Sequence, residues 1–103
     1  MVIHNASFMM EREREGEFVE WIRERLGAQV LGAGLRPALS AMREAGGIDY
    51  RDAEAQTVAF QMEFDDIESA RRWGRECFAD LAAAFEKDFG PNAMVFTSLF
   101  ERL

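Results

Sequence analysis

The chain has 103 residues, of which 49% are hydrophobic and 12% aromatic, and its formal net charge at pH 7 is −7. This length fits a single domain spanning residues 1–103, and the hydrophobic content argues against a disordered chain. The negative charge argues against nucleic acids and anionic membranes as partners, because both are bound through clustered lysine and arginine.

Cys77 and the N-terminal residues indicate the cellular compartment in which the protein is expected. Cys77 is the single cysteine, so no disulfide forms within one chain. Residues 1–5 lack the basic and then apolar order of a signal peptide. No run reaches the roughly 18 apolar residues of a membrane-spanning helix. We therefore expect a cytoplasmic protein, in which Cys77 packs as a small buried hydrophobe rather than acting as a reactive thiol.

The first half of the chain predicts a strand, a helix and a second strand. Residues 2–9 are rich in β-forming side chains. Apolar residues then recur at helical spacing: Phe18, Trp21, Ile22 and Leu26. Gly27 interrupts this helix, and Gly32 and Gly34 end it. Residues 35–44 are expected to form an edge strand, where Pro37 is tolerated, and residues 46–52 a polar turn.

The second half predicts a strand, a helix and a closing strand. Residues 57–64 alternate between an apolar and a small or polar face. Asp65 and Glu68 resemble a capping box that begins the helix. The stripe expected to be buried on this helix is Ile67, Ala70, Gly74, Cys77, Phe78, Leu81 and Phe85. Gly90 and Pro91 end the helix, and residues 93–101 form the last strand.

This element order is the βαββαβ pattern of a ferredoxin-like α+β domain. Right-handed crossovers place both helices on one face of a four-stranded antiparallel sheet. The last strand should neighbour the first, with the third strand on the other side of the first.

The last strand is apolar on both of its alternating faces. One set is Met94, Phe96 and Phe100, and the other is Ala93, Val95 and Leu99. We expect the first set to pack against the helices and the second to lie on the uncovered face. Since an apolar uncovered face needs a cover, the sequence predicts a two-fold homodimer through that face, a dimeric α+β barrel.

Five polar residues are expected on the uncovered face: Asn5, Ser7, Gln61, Glu63 and Thr97. In one interpretation they hydrogen-bond across the dimer or to buried water. In the other they line a small-molecule pocket, in which Glu63 has a raised pKa and accepts a proton. The only histidine, His4, has the parity of the helix-packed face and is expected to pack there rather than act as a base.

The chain has no metal-ligand spacing, no phosphate-binding loop and no Ser-His-Asp order. The sequence therefore predicts no catalytic residue, no metal and no cofactor. A binding, regulatory or structural role for a homodimer is the favoured interpretation. The alternative is a cofactor-free monooxygenase-like or other small enzyme that uses a cavity on the uncovered face.

Four segments carry a resemblance to a known family. They are residues 3–7, residues 18–22 together with 30–34, residues 57–62 and residues 96–101. Their sequences resemble the Ile-Tyr-Asn-Val-Thr, Trp-Leu-x-Trp-Met with Val-Leu-Ala-Thr-Gly, Thr-Tyr-x-Val-Gln-Tyr and Phe-Arg-Thr-Leu-Leu-Glu segments of the bacterial proteins catalogued as domain of unknown function 4286. The resemblance implies a ferredoxin-like fold and no established activity. In place of the family's last-strand arginine this chain has Thr97.

Overall fold

The computed structural model describes residues 1–103. The chain forms β1 (Val2–Glu11), β2 (Leu35–Ala41), a small hairpin of β3 (Glu44–Ala45) and β4 (Ile48–Asp49), then β5 (Ala55–Phe64) and β6 (Met94–Glu101). Four of these strands make one antiparallel sheet in the order β2-β5-β1-β6. The α+β class and the four-stranded antiparallel sheet are thus confirmed. The hairpin was predicted only as a polar turn.

Helical segments connect these strands. A 3-10 turn (Arg12–Arg14) leads into α1 (Glu15–Arg25), and α2 (Ala28–Leu31) follows after Gly27. The second connection is α3 (Ile67–Trp73), a π-helical turn (Gly74–Phe78) and α4 (Ala79–Phe89). No helix combines the length and the apolar character needed to cross a bilayer.

The core lies between one face of the sheet and the helices. Alternate residues of β1 and β5 are buried there, including Phe8 and Phe60. Phe8 meets Phe18 of α1 and Phe85 of α4, with 4.9 Å between ring centroids in both pairs. Aromatic rings at these distances are in edge or tilted contact. The buried face of the strands and the apolar faces of α1 and α4 therefore pack together in one aromatic cluster.

The second helical connection differs in detail from the sequence-based prediction. Asp66, rather than Asp65, is the N-cap of α3, and its Oδ1 accepts from the Ser69 backbone N–H at 2.8 Å. The π turn adds a residue to one helical turn, and Trp73 is buried beside it. Cys77, which was expected to be buried, is only half-buried, and its Sγ lies 3.7 Å from the carbonyl oxygen of Gln29 in α2.

The two faces of β6 are the reverse of the prediction. The register places Val95 opposite Phe8 and Thr97 opposite Ala6, and both β1 residues are buried on the helix side. Residues directly opposite in an antiparallel pair share a face. Val95, Thr97 and Leu99 therefore lie on the helix side. The set of Met94, Phe96 and Phe100 lies on the other face.

Candidate functional site

We call the sheet face that the helices do not cover the open face. Its β1 members are Ile3, Asn5, Ser7, Met9 and Glu11. The residues paired beside them are Ala55, Thr57, Ala59, Gln61 and Glu63 of β5, Met94, Phe96, Ser98 and Phe100 of β6, and Leu35, Ala38 and Ser40 of β2. Of the five predicted site residues, four lie on this face.

Three of the predicted site residues form a hydrogen-bonded group at its centre. The Gln61 Nε2 donates to Asn5 Oδ1 at 3.1 Å, and the Asn5 Nδ2 donates to Ser7 Oγ at 3.2 Å. Asn5 and Gln61 face each other in the register of β1 and β5. These amides therefore find partners within one copy of the chain.

Thr97 does not join this group. It lies opposite Ala6, on the helix side of the sheet, and its side chain is exposed there. Its placement among the open-face residues was wrong. Both alternating sets of β6 residues are largely apolar, so the sequence does not indicate which set faces the helices, and only strand pairing shows it.

Glu63 is held by two arginines that the sequence did not indicate. Its Oε2 accepts from Arg36 Nη1 and its Oε1 from Arg102 Nη2, each at 3.1 Å. The Glu63 side chain is only 12% exposed, whereas those of Arg36 and Arg102 are 78% and 62% exposed. Each carboxylate oxygen of Glu63 therefore already accepts a charge-assisted hydrogen bond within the chain.

The position of Arg36 depends on irregular backbone. The pairing of β2 with β5 shifts register between Leu35 and Ala38, and Arg36 has a φ of +52°. A residue with a Cβ is disfavoured there by about 1–2 kcal/mol. No local sequence motif indicates such a bulge, and the sequence therefore did not predict that Arg36 contacts Glu63.

The β6 side of the open face is apolar. Met94, Phe96 and Phe100 are exposed by 52%, 52% and 54%, respectively. Ile3 and Met9 lie next to this row and are half-buried. β6 is also an edge strand, so the apolar row borders solvent along its whole length.

His4 lies on the opposite side of the sheet from these groups. It is 5% exposed, and its ring centroid is 4.9 Å from that of Trp73 and 5.2 Å from that of Phe78. Burial lowers the pKa of the His4 imidazole below its ordinary value. Its interpretation as a packing residue on the helix side is confirmed.

The clefts of the chain lie elsewhere. One of about 380 Å³ separates α2 from α4 beside Cys77, and one of about 410 Å³ lies near Glu11 and Glu54. Neither these nor the two smaller clefts are lined by Asn5, Gln61 or Glu63. No three His, Cys, Asp or Glu side chains are grouped closely enough to hold a metal ion.

The comparisons with known proteins concern the fold and the family of the chain. The de novo designed protein Foldit4 is similar with a TM-score of 0.60 at 12% identity, over 99% of this chain and 98% of the design. The de novo designed protein LFR1 1, described as having a ferredoxin fold, has a TM-score of 0.56 at 10% identity, over 100% of this chain and 88% of the design. At these identities the likeness concerns the fold alone. No curated protein matches the chain. A family model matches residues 1–103, the whole chain, which therefore belongs to the family described as Domain of unknown function (DUF4286).

Proposed function

We propose that the protein works as a homodimer, in which two copies pack open face against open face into an α+β barrel with a binding or regulatory role. The observation that carries this proposal is the apolar row of Met94, Phe96 and Phe100. All three side chains are more than half exposed on one edge of the sheet. Monomeric proteins rarely leave a contiguous patch of this kind in water.

The open face is large enough for a specific contact between two copies. Four strands span about 19 Å, and the eight residues of β6 extend about 27 Å. The projected area is therefore about 500 Å² per copy, from spacings of about 4.8 Å between strands and about 3.4 Å along them. Two such faces together bury about 1,000 Å², which is near the lower bound for a specific interface.

The charge distribution also supports this surface as an interface. Charged residues make up 30% of the chain, yet only Glu63 and Glu11, the last residue of β1, are charged among the paired strand positions of the open face. Two arginines pair with Glu63. Depletion of charge at the centre is a property of protein interfaces, whereas the solvated face of an antiparallel sheet is normally polar.

The polar centre of the face favours a non-enzymatic role. Asn5, Ser7 and Gln61 bond to one another, as expected for groups that must be satisfied beneath a cover. A cofactor-free enzyme would need an open cavity beside a free proton acceptor, and no observation on this face favours one. The homodimer with a binding or regulatory role is thus the better supported proposal.

Light scattering coupled to size exclusion tests the proposal. We expect the protein at about 10 μM to elute with twice the 11.7 kDa mass of the chain. Phe96→Glu should elute as a folded monomer, because Phe96 is half exposed in the single chain and its loss costs the isolated fold little. Losing about 100 Å² of apolar contact in each copy weakens a symmetric dimer by about 5 kcal/mol, or more than about 1,000-fold.

Thr97→Glu is the matched control. It introduces the same charge at the adjacent residue, which lies on the helix side and is also exposed. This variant should remain dimeric. A monomeric wild-type protein at this concentration would refute the proposal, as would equal disruption by the two substitutions.

A further inference from the structure

We propose that the cleft between α2 and α4 binds a small organic amine, with the ammonium group at Glu76 and Asp80 and an apolar body against Leu81 and Ala84. All residues that line this cleft belong to the helical segments or lie directly beside them, on the side of the sheet away from the open face. The site is complete within one copy of the chain and would stay accessible in the proposed dimer, so the inference does not rest on that proposal.

The cleft results from the way in which the helices pack. α1 and α4 are in contact where Trp21 meets Phe85 and Phe89, with ring centroids 6.1 Å and 5.4 Å apart. Further along, α2 contacts the π turn, where the Cys77 Sγ lies 3.7 Å from the Gln29 carbonyl oxygen. Between these two contacts the helices leave about 380 Å³ of space, a volume within the range of small-molecule sites.

One part of the cleft is apolar. Leu81 and Ala84 of α4 line it together with Val30 of α2. Leu81 and Ala84 are three residues apart and therefore neighbours on one helix face. Leu81 is buried in the core, so the apolar wall is held in place by the packing beneath it. An apolar ligand group placed here would remove these side chains from water, which is favourable.

The other part of the cleft is acidic. Glu76 of the π turn and Asp80 of α4 both line it, about one helical turn apart. Neither carboxylate forms a salt bridge within the chain. Like charges at this spacing destabilise a helix slightly, so helix stability does not account for the pair. A ligand cation between the two carboxylates would remove their repulsion.

Arg25, the only cation that lines the cleft, is already engaged. Its Nη2 lies 3.5 Å from Asp88 Oδ2, its Nη1 donates to the Trp21 carbonyl oxygen at 3.1 Å, and its guanidinium carbon lies 4.1 Å from the centre of the Trp21 ring. The pair of Arg25 with Asp88 is neutral, which leaves the two carboxylates of the cleft uncompensated.

These charges and the apolar wall define the ligand class. An ammonium group complements Glu76 and Asp80, whereas a carboxylate or phosphate would be repelled. The net charge of −7 of the whole chain also favours a cation over an anion. A flat ring suits the rest of the cleft, because it can contact Leu81 and can stack on the planar guanidinium of Arg25.

An NMR titration with 2-phenylethylamine tests the site at about pH 7.5 and low salt, where ion pairs are least screened. We expect saturable shifts of the Val30, Cys77, Asp80 and Ala84 amide signals. Two probes isolate the two halves of the ligand: 2-phenylethanol keeps the ring without the charge, and methylamine keeps the charge without the ring. Each should bind about tenfold more weakly or less. The anion 3-phenylpropanoate should not bind.

Variants of the two carboxylates test their role. Glu76→Gln and Asp80→Asn should each weaken binding of the amine about threefold, since one partly exposed ion pair contributes little by itself. The double variant should weaken it about tenfold. Glu86→Gln is the matched control, because Glu86 is an exposed carboxylate of α4 that lies outside the cleft. It should leave the affinity unchanged, and all these exposed positions should tolerate the change without unfolding.

Several results would overturn the inference: no saturable binding of 2-phenylethylamine, equal affinity for 2-phenylethanol, methylamine or 3-phenylpropanoate, wild-type affinity in the double variant, or equal weakening by Glu86→Gln. Light scattering on the same samples separates this inference from the proposed dimer. A dimer that does not bind the amine refutes the site alone, and a monomer that binds it refutes the assembly alone.

Discussion

His4 should make the folding stability depend on pH in a way that can be assigned to one residue. It is the only histidine of the chain and is buried against Trp73 and Phe78. Burial lowers its pKa in the folded state below the ordinary value of 6.5. As the pH falls through 6.5, the unfolded chain therefore binds a proton that the folded chain does not.

The sign and upper limit of the effect follow directly. The contribution of the neutral His4 to the free energy of unfolding is fully present above pH 6.5. It decreases as the pH falls below 6.5, until the folded-state pKa is reached. If the folded imidazole stays neutral throughout, lowering the pH from about 7.5 to about 5.5 reduces the free energy of unfolding by about 1.4 kcal/mol. A weaker depression of the pKa gives a smaller loss.

Urea unfolding at several pH values and one protein concentration measures this dependence. His4→Phe keeps an aromatic ring beside Trp73 and removes the titration, so its stability should be flat across the window. The carboxylates with lowered pKa values, Glu17, Asp49 and Asp66, have ordinary values of 4.5, 3.8 and 3.8. Their contributions are lost only at lower pH.

Two results would refute the reasoning about His4. One is an equal pH dependence of the wild type and His4→Phe between pH 5.5 and 7.5. The other is a folded-state titration of the single imidazole, followed by NMR, with a midpoint at or above 6.5.

Two further predictions concern local stability, measured as free energies of unfolding in urea. Asp66→Ala should destabilise by about 1 kcal/mol, because it removes the oxygen that caps α3 at Ser69; Asp66→Asn should cost less, and equal losses would contradict the capping role. Gly16→Ala should stabilise by about 0.5–1 kcal/mol, since Gly16 lies in α1 with nothing within 4 Å of an added Cβ. The same change at Gly90 should destabilise, because the Cβ would lie 2.6 Å from the Glu86 carbonyl oxygen; a stabilised Gly90→Ala would show that the backbone there yields freely.

Much of the fold could be predicted from local patterns. The alternation in β5 and the helical spacing of Phe18, Trp21 and Ile22 were confirmed, because one-sided burial leaves a period in the sequence. Gly27, Gly32 and the pair of Gly90 with Pro91 marked the helix ends correctly. The residues Asn5, Ser7, Gln61 and Glu63 were correctly grouped on one face for the same reason.

Other features of the fold could be recognised only in the tertiary structure, because they leave no periodic pattern in the sequence. Both parities of β6 are apolar, so only its register against β1 shows that Phe96 faces outward and Thr97 faces the helix side. The arginines that hold Glu63 arrive from the two edges of the sheet, one of them through a bulge with positive φ. The sequence by itself determined which side chains alternate together. Pairing between distant strands decided which set meets the helices and which cations meet Glu63, because those contacts depend on register and not on neighbours along the chain.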